Sequence, residues 1–423
     1  MVEMTASQLF AVNNENIINV NFIEQVVMNR THQNDSSNKA GYWSAVFSMT
    51  LCVAMLIASE FMPVSLLTPI ADGLDATKGQ AGQAISVSGF FAVVASLLTS
   101  TVAGKLNRKW VLLAMTGCML LSLVFIALAP DFIMLMVARA LLGVCVGGFW
   151  SLATAVIMRL VPADSVSKAL AIMYSGQAVA AAFAAPLGSY LGDLIGWRGV
   201  FWVLVPVVAV NLIWQMISLP SMPTDKKQGF GEMFGLLKRG YFARGIIASI
   251  CVYAGAFAMF TYLRPYIESE VKGDVFLLTF LLLLLGVAGF AGTWLGGKFA
   301  NDHAVRFLQG VPLVTSVVTA GLIGLSGSVF MVGVLLALWG ICNTAMSIGW
   351  MTWLSQNVDD APEAAGSIIV AAIQAAILFG AAAGGVLLDG FGINVTFAGS
   401  VVLTLVSLCL VGSGRGVLKP QAE

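Results

Sequence analysis

Residues 188–201 read GSYLGDLIGWRGVF, and 196 positions further on residues 384–397 read GGVLLDGFGINVTF. At this offset Gly188, Leu191, Asp193, Gly196 and Phe201 fall on Gly384, Leu387, Asp389, Gly392 and Phe397. The same shift lays Leu67-Thr68-Pro69 on Leu263-Arg264-Pro265. Gly, Ala and Leu match easily by chance in this chain, but Asp is scarce in its apolar runs. One offset also serves two well-separated regions. Two like halves following one another in the same direction explain both observations, and they imply an axis of pseudo-symmetry along the membrane normal.

The repeated unit is a set of membrane crossings. Of 423 residues, 59% are hydrophobic and 10% charged, with a mean hydropathy of +0.91. A soluble domain carries about 25% charged residues. Runs of about 20 apolar residues, enough for one crossing, lie at 43–68, 80–103, 110–129, 132–161, 167–193, 198–219, 242–266, 275–300, 304–325, 328–355, 362–390 and 393–413. The fold expected is an all-α membrane protein of about twelve transmembrane helices in two six-helix bundles. The domain organisation expected is a polar tail 1–41, a first bundle 42–219, a linker 220–240, a second bundle 241–413 and a tail 414–423.

Sixteen of the 21 Lys and Arg residues fall in the segments that share a side with the termini and the linker, and four fall on the other side. By the positive-inside rule the termini and linker are expected in the cytoplasm. The first 41 residues are asparagine-rich, hold Glu3, Glu15 and Glu24, and lack the basic-then-apolar order of a signal peptide. Their composition is that of a disordered tail, and Met28 is an alternative start. The formal net charge is zero, so no basic excess points to nucleic acid. Six cysteines (Cys52, Cys118, Cys145, Cys251, Cys342, Cys409) all sit in apolar runs, and His32 and His303 are the only histidines. No metal site, cofactor or disulfide framework is expected. Gly292-Thr-Trp-Leu-Gly-Gly297-Lys298 has phosphate-loop spacing, but Phe299 occupies the Ser/Thr position at the end of an apolar helix, so no ATPase is expected.

Several motifs resemble the major facilitator superfamily, and within it the drug:proton antiporter group. In the fifth span Ala185-Pro186-Leu187-Gly188, Gly192 and Gly196-Trp197-Arg198 are similar to the antiporter motif. A proline and close glycines let a helix bend and neighbouring backbones touch. Arg139-Ala-Leu-Leu-Gly143 resembles the fourth-helix motif, and Glu60-Phe-Met-Pro-Val-Ser-Leu-Leu-Thr-Pro69 the first-helix signature. Gly147-Gly-Phe-Trp150, Met158-Arg-Leu-Val-Pro162 and Gly349-Trp-Met-Thr-Trp353 resemble bacterial purine ribonucleoside efflux pumps more narrowly. That resemblance, over about 42–413, implies export of nucleosides such as inosine or guanosine across the bacterial inner membrane, driven by proton entry. The loop between the second and third spans, Ala103-Gly-Lys-Leu-Asn-Arg108-Lys109, keeps the family's basic residues and lacks its Asp. Closure on the cytoplasmic side must then use other groups.

An ionisable side chain at mid-membrane costs about 3 kcal/mol on insertion scales and is a functional candidate by default. Glu60 and Arg139 are therefore the candidates for proton coupling, and a structural ion pair or anchor is the plainer alternative for each. Tyr253, Phe257, Phe260 and Arg264 recur at i, i+4, i+7 and i+11, as do Asn343, Ser347 and Trp350 on the tenth span. Trp150 follows Arg139 by eleven residues, and Gln177 and Gln374 lie near mid-span. Together they offer aromatic faces and amide or hydroxyl partners for a flat polar substrate; helix packing is the plainer reading. Asp389 lies near a span end, where snorkelling makes a charge cheap. Gly143, Pro186, Gly188, Gly192, Arg108 and Lys109 are the candidates for bending and gating. Two other readings remain open from sequence: efflux of another drug-like or sugar substrate, and a non-transporting sensor of the same fold.

Overall fold

The computed structural model describes residues 42–102, 106–162, 165–223, 235–299, 304–358 and 362–419. Tail 1–41 with Met28, loop residues 103–105 and linker residues 224–234 lie outside the described residues. Among the described residues, eleven helices are long and apolar enough to cross a membrane. One of them, Val166–Ser218, runs for 53 residues, about 80 Å at 1.5 Å per residue and more than twice the hydrocarbon core. It is two crossings, divided where Gly196 leaves helical geometry at φ 73, ψ 159.

The crossings are α1 (Tyr42–Ser65), α2 (Lys78–Val102), α3 (Arg108–Leu128), α4 (Phe132–Leu160), α5 and α6 (166–195 and 197–218), α7 (Gly240–Thr261), α8 (Val275–Phe299), α9 (Ala304–Gly324), α10 (Val329–Asn357), α11 (Pro362–Phe391) and α12 (Ile393–Val411). A helix satisfies its own backbone hydrogen bonds, the one way an open segment can cross hydrocarbon. Polar caps start several of them. Asn107 accepts from the Lys109 amide, Asp131 from Met134 and Asp274 from Leu277.

The duplication is visible in the backbone. The helices α2 and α8 both have 25 residues, α3 and α9 both 21, and α4 and α10 both 29. Gly392 separates α11 from α12 at φ 88, ψ 174, the same unusual region that its repeat mate Gly196 occupies. A side chain would be strained there. A second break repeats as well. Leu66 interrupts the first crossing at φ −104, ψ 7, and its mate Tyr262 interrupts the seventh at φ −105, ψ 18. Each break is followed by a short helix carrying a proline, Leu67–Gly73 and Leu263–Tyr266. The uninterrupted spans expected at 43–68 and 242–266 are therefore kinked near their ends. Pro69 and Pro265 lack the N–H that would continue the helical ladder, and each frees the carbonyl four residues earlier.

The apolar surface is turned outward: Phe276, Ile217, Ile133 and Phe330 are largely exposed, as lipid-facing side chains would be. Small residues let backbones touch inside. Gly286 of α8 faces the Ala182 carbonyl of α5, which Pro186 leaves free, so the two halves meet closely along α5 and α8.

Candidate functional site

Pro63 sits four residues beyond Ser59 and offers no N–H to its carbonyl. Arg139 of α4 takes that place, donating from Nη1 to the Ser59 oxygen at 3.0 Å and from Nε to the Ala84 oxygen of α2 at 3.1 Å. Ser88 Oγ donates back to the Arg139 carbonyl at 3.0 Å. The arginine thus ties α1, α2 and α4 together while only 1% exposed. Its remaining nitrogen, Nη2, has no partner.

Glu60, the residue after Ser59, is 5% exposed. The Arg139 guanidinium is bound to carbonyls, so it acts on Glu60 through its charge and not through a direct ion pair. Gln374 of α11, in the other half, comes within reach of the same carboxyl without a hydrogen bond of good geometry. Glu60 lies five residues from the end of α1, about 8 Å in, and Arg139 seven residues into α4, about 10 Å in. A buried acid, an arginine and an amide from both halves therefore meet at one depth.

Aromatic rings lie next to them. Phe61 packs against Phe257 and Phe260 of α7 with centroids 6.1 and 5.7 Å apart. Phe260 in turn stacks on Trp339 of α10 at 5.8 Å and an interplanar angle of 8°. The Trp339 indole nitrogen is buried without a partner. Lower on the same helices, Tyr253 donates to Ser347 Oγ at 3.1 Å. Trp350 is buried edge-on to Trp353, and its indole nitrogen too lacks a partner. Asn343 is half-buried on the same helix, and Gln177 half-buried on α5. Trp150 stacks on Tyr174 of α5 at 5.7 Å.

Arg264 follows the stripe beyond the break at Tyr262 and reaches the same helix, α1, whose Phe61 packs on Phe257 and Phe260. Its Nη1 donates to the Ser65 carbonyl that Pro69 has freed, and its Nε to Glu268 Oε1 at 2.7 Å. Glu268 also accepts from Thr68 Oγ1 at 2.6 Å and pairs with Lys78 at 3.4 Å. Nearby, Asp389 accepts from Thr77 Oγ1 at 2.5 Å and from the Gly79 amide at 3.0 Å. Thr77 and Gln80 cap α2 reciprocally, leaving the helix start open to an anion.

The residues expected to bend or gate have plain steric settings. A Cβ on Gly143 would strike the Ser88 carbonyl, one on Gly188 would lie 2.6 Å from Ser65 Oγ, and one on Gly192 would strike Leu66. The two α5 glycines thus make room for the kinked end of α1. Arg108 donates its amide to the Met222 carbonyl at 3.0 Å. Asn107, which sequence reading passed over, caps α3 through Lys109, accepts from the Met222 amide at 2.9 Å and donates to Ser221 at 2.6 Å. It fastens the start of the linker to the first half.

Two halves of six crossings, related by one offset, with a buried acid and arginine in the first half near an amide of the second, make a duplicated membrane bundle of the transporter type. The sequence matches the Major Facilitator Superfamily over residues 49–368, and the chain belongs to that family. It is a multi-pass membrane transporter of a small molecule. It is 43% identical over 381 residues to the transcription regulatory protein OpdE of Pseudomonas aeruginosa PAO1, covering 89% of this chain and 95% of that one. It is 38% identical over 371 residues to the purine ribonucleoside efflux pump NepI of Salmonella enteritidis PT4, covering 88% and 94%. Among solved structures, a D-xylose-proton symporter aligns with a TM-score of 0.72 at 14% identity, covering 89% of this chain and 99% of that one. An inward-facing, unoccupied bacterial homologue of the human lysosomal transporter Spinster aligns at 0.69 and 16%, covering 88% and 96%. Those two likenesses concern the fold alone.

Proposed function

We propose that this protein exports purine ribonucleosides across the bacterial cytoplasmic membrane in exchange for protons. The observation that carries the reading is Glu60, buried beside Arg139 of its own half and Gln374 of the other. When the halves rock, the Arg139 neighbourhood travels with Glu60 while the Gln374 side moves away. The carboxyl's affinity for a proton then differs between the two states, as exchange requires. The substrate class is supported by the printed name of NepI and by the chemistry of the facing helices. Phe257, Trp150 and Trp350 supply flat apolar surface, while Tyr253, Ser347, Asn343 and Gln177 supply hydroxyls and amides, the mixture a base and ribose need.

The basic residues on the linker side support a cytoplasmic linker and termini. Cysteines at Gln228 and Asp193, introduced one at a time into a cysteine-free background and tested on intact cells with an impermeant thiol reagent, decide the orientation. Labelling is expected at Asp193→Cys only, and the reverse pattern overturns it. The function itself is tested by uptake into inverted vesicles under an imposed pH gradient, comparing inosine, guanosine, a pentose and a cationic dye. Accumulation of the nucleosides is expected. Accumulation of the sugar or the dye alone moves the substrate class. A second reading, a membrane regulator, is favoured by the printed name of OpdE at 43% identity. Correctly inserted protein that accumulates none of the four supports that reading instead.

A further inference from the structure

The repeat supplies a control inside the molecule for the contacts that join the halves near the ends of α1 and α7. Subtracting the offset of 196 pairs Glu268 with Asp72 and Asp389 with Asp193. If the halves were held symmetrically, all four acids would reach across. Only the two in the second half do: Glu268 binds Thr68 and Lys78, and Asp389 binds Thr77 and the Gly79 amide. Asp72, Asp193 and Asp389 are all exposed, so partners and not burial separate the pairs: among the described residues neither Asp72 nor Asp193 bonds to the second half.

The donors explain the asymmetry. The mates of Thr77, Lys78 and Gly79 are Gly273, Asp274 and Val275. The hydroxyl is gone, and a carboxylate stands where the first half has an ammonium. Asp72 reaching across would meet Asp274, and like charges repel. Thr68 and its mate Arg264 differ in the opposite sense, since Asp72 would meet a guanidinium there, but that guanidinium is already engaged by the Ser65 carbonyl and Glu268. Arg264 is long enough to bind Ser65 of the other half and steady Glu268 with its Nε, whereas Thr68 can only donate to Glu268.

We infer that Glu268 and Asp389 form a one-way latch, in which acids of the second half grip donors of the first, and that its release opens this side of the transporter. The acids Asp72 and Asp193 take no part. Arg264 belongs to the latch, positioning Glu268, and not to the wall of the substrate site. The inference does not depend on the substrate or on proton coupling, and its test uses neither, so it stands or falls apart from the proposed export.

Spin labels on Ile133→Cys and Phe276→Cys, exposed positions at the starts of α4 and α8, in a background without the six native cysteines, report the separation of the halves on this side by pulsed electron resonance. Glu268→Gln with Asp389→Asn removes both charges at nearly constant shape. A second, longer-distance population is expected. Asp72→Asn with Asp193→Asn, the matched control, is expected to leave the distribution unchanged. Thr68→Val, which deletes one donor to Glu268, is expected to shift it in the same direction by less, and it keeps the test open should the double variant not fold. An unchanged distribution in folded latch variants overturns the proposal. An equal shift in the control pair overturns it too, since the latch would then have no direction.

Discussion

Arg139 and Arg264 each fill a carbonyl of α1 that a proline four residues later has freed, at Ser59 and at Ser65. One arginine comes from the same half as the carbonyl, the other from the opposite half. Under the proposed exchange by rocking halves, the first contact would persist through the cycle and the second would break in it. The same local chemistry therefore serves two ends. Within a half it fixes a permanent charge beside Glu60. Between halves it makes a closure that can be undone.

The most damaging way to disturb this pair is Arg139→Ala. Two carbonyls lose a charged donor, each hydrogen bond to a charged group being about 1.5–3 kcal/mol, and Glu60 loses a nearby positive charge. At matched membrane abundance, transport is expected to fall at least tenfold and the pH dependence of the residual rate to shift. A uniform loss with an unchanged pH profile would make the arginine purely structural.

The prolines allow a finer cut. Pro63→Ala restores an N–H that competes with Arg139 for the Ser59 carbonyl, a hydrogen bond to a charged group of about 1.5–3 kcal/mol. It is expected to displace the pH profile in the same direction as Arg139→Ala, by less. Pro69→Ala competes with Arg264 for Ser65 in the same way, and is expected to leave the pH profile in place while lengthening the distance between the labelled halves. A shifted pH profile in Pro69→Ala would erase the distinction drawn here. The smallest effect is expected for Gly188→Ala. Its methyl would crowd Ser65 Oγ, an overpacking cost of about 1 kcal/mol, read as a lower unfolding temperature in detergent with little change in transport.

The crossings, the offset and the presence of two charges, Glu60 and Arg139, inside apolar runs were legible in sequence because each rests on something local. Hydrocarbon demands apolar length, a repeat keeps its spacing, and a buried charge stands out among apolar neighbours. Gly196 and Gly392 were matched by offset alone, and the backbone gives the match a physical reason in their shared positive φ. The latch was not legible. Its contacts join residues 190 to 312 positions apart. That Thr68 and its mate Arg264 meet on one carboxylate depends on how the halves lean together. Asp389 is exposed, as a charge near a span end would be, but its partners Thr77 and Gly79 could not be read because nothing near it in sequence is its partner. Spacing along a helix takes no account of the break at Tyr262, so the partners of Arg264, Ser65 and Glu268, could not be read from it. That Gln374 lies beside Glu60 was hidden for the same reason, since one half says nothing of which residue of the other faces it.

The central claim is that the inner site couples and the latch only gates. Proteoliposomes containing Glu60→Gln or Glu268→Gln, assayed side by side for inosine accumulation driven by a pH gradient and for inosine counterflow without one, test it most directly. Glu60→Gln is expected to retain counterflow and lose all accumulation against a gradient, while Glu268→Gln keeps accumulation at an altered rate. Accumulation by Glu60→Gln in response to the pH gradient, with counterflow intact, would contradict the account and leave Glu60 a structural anchor.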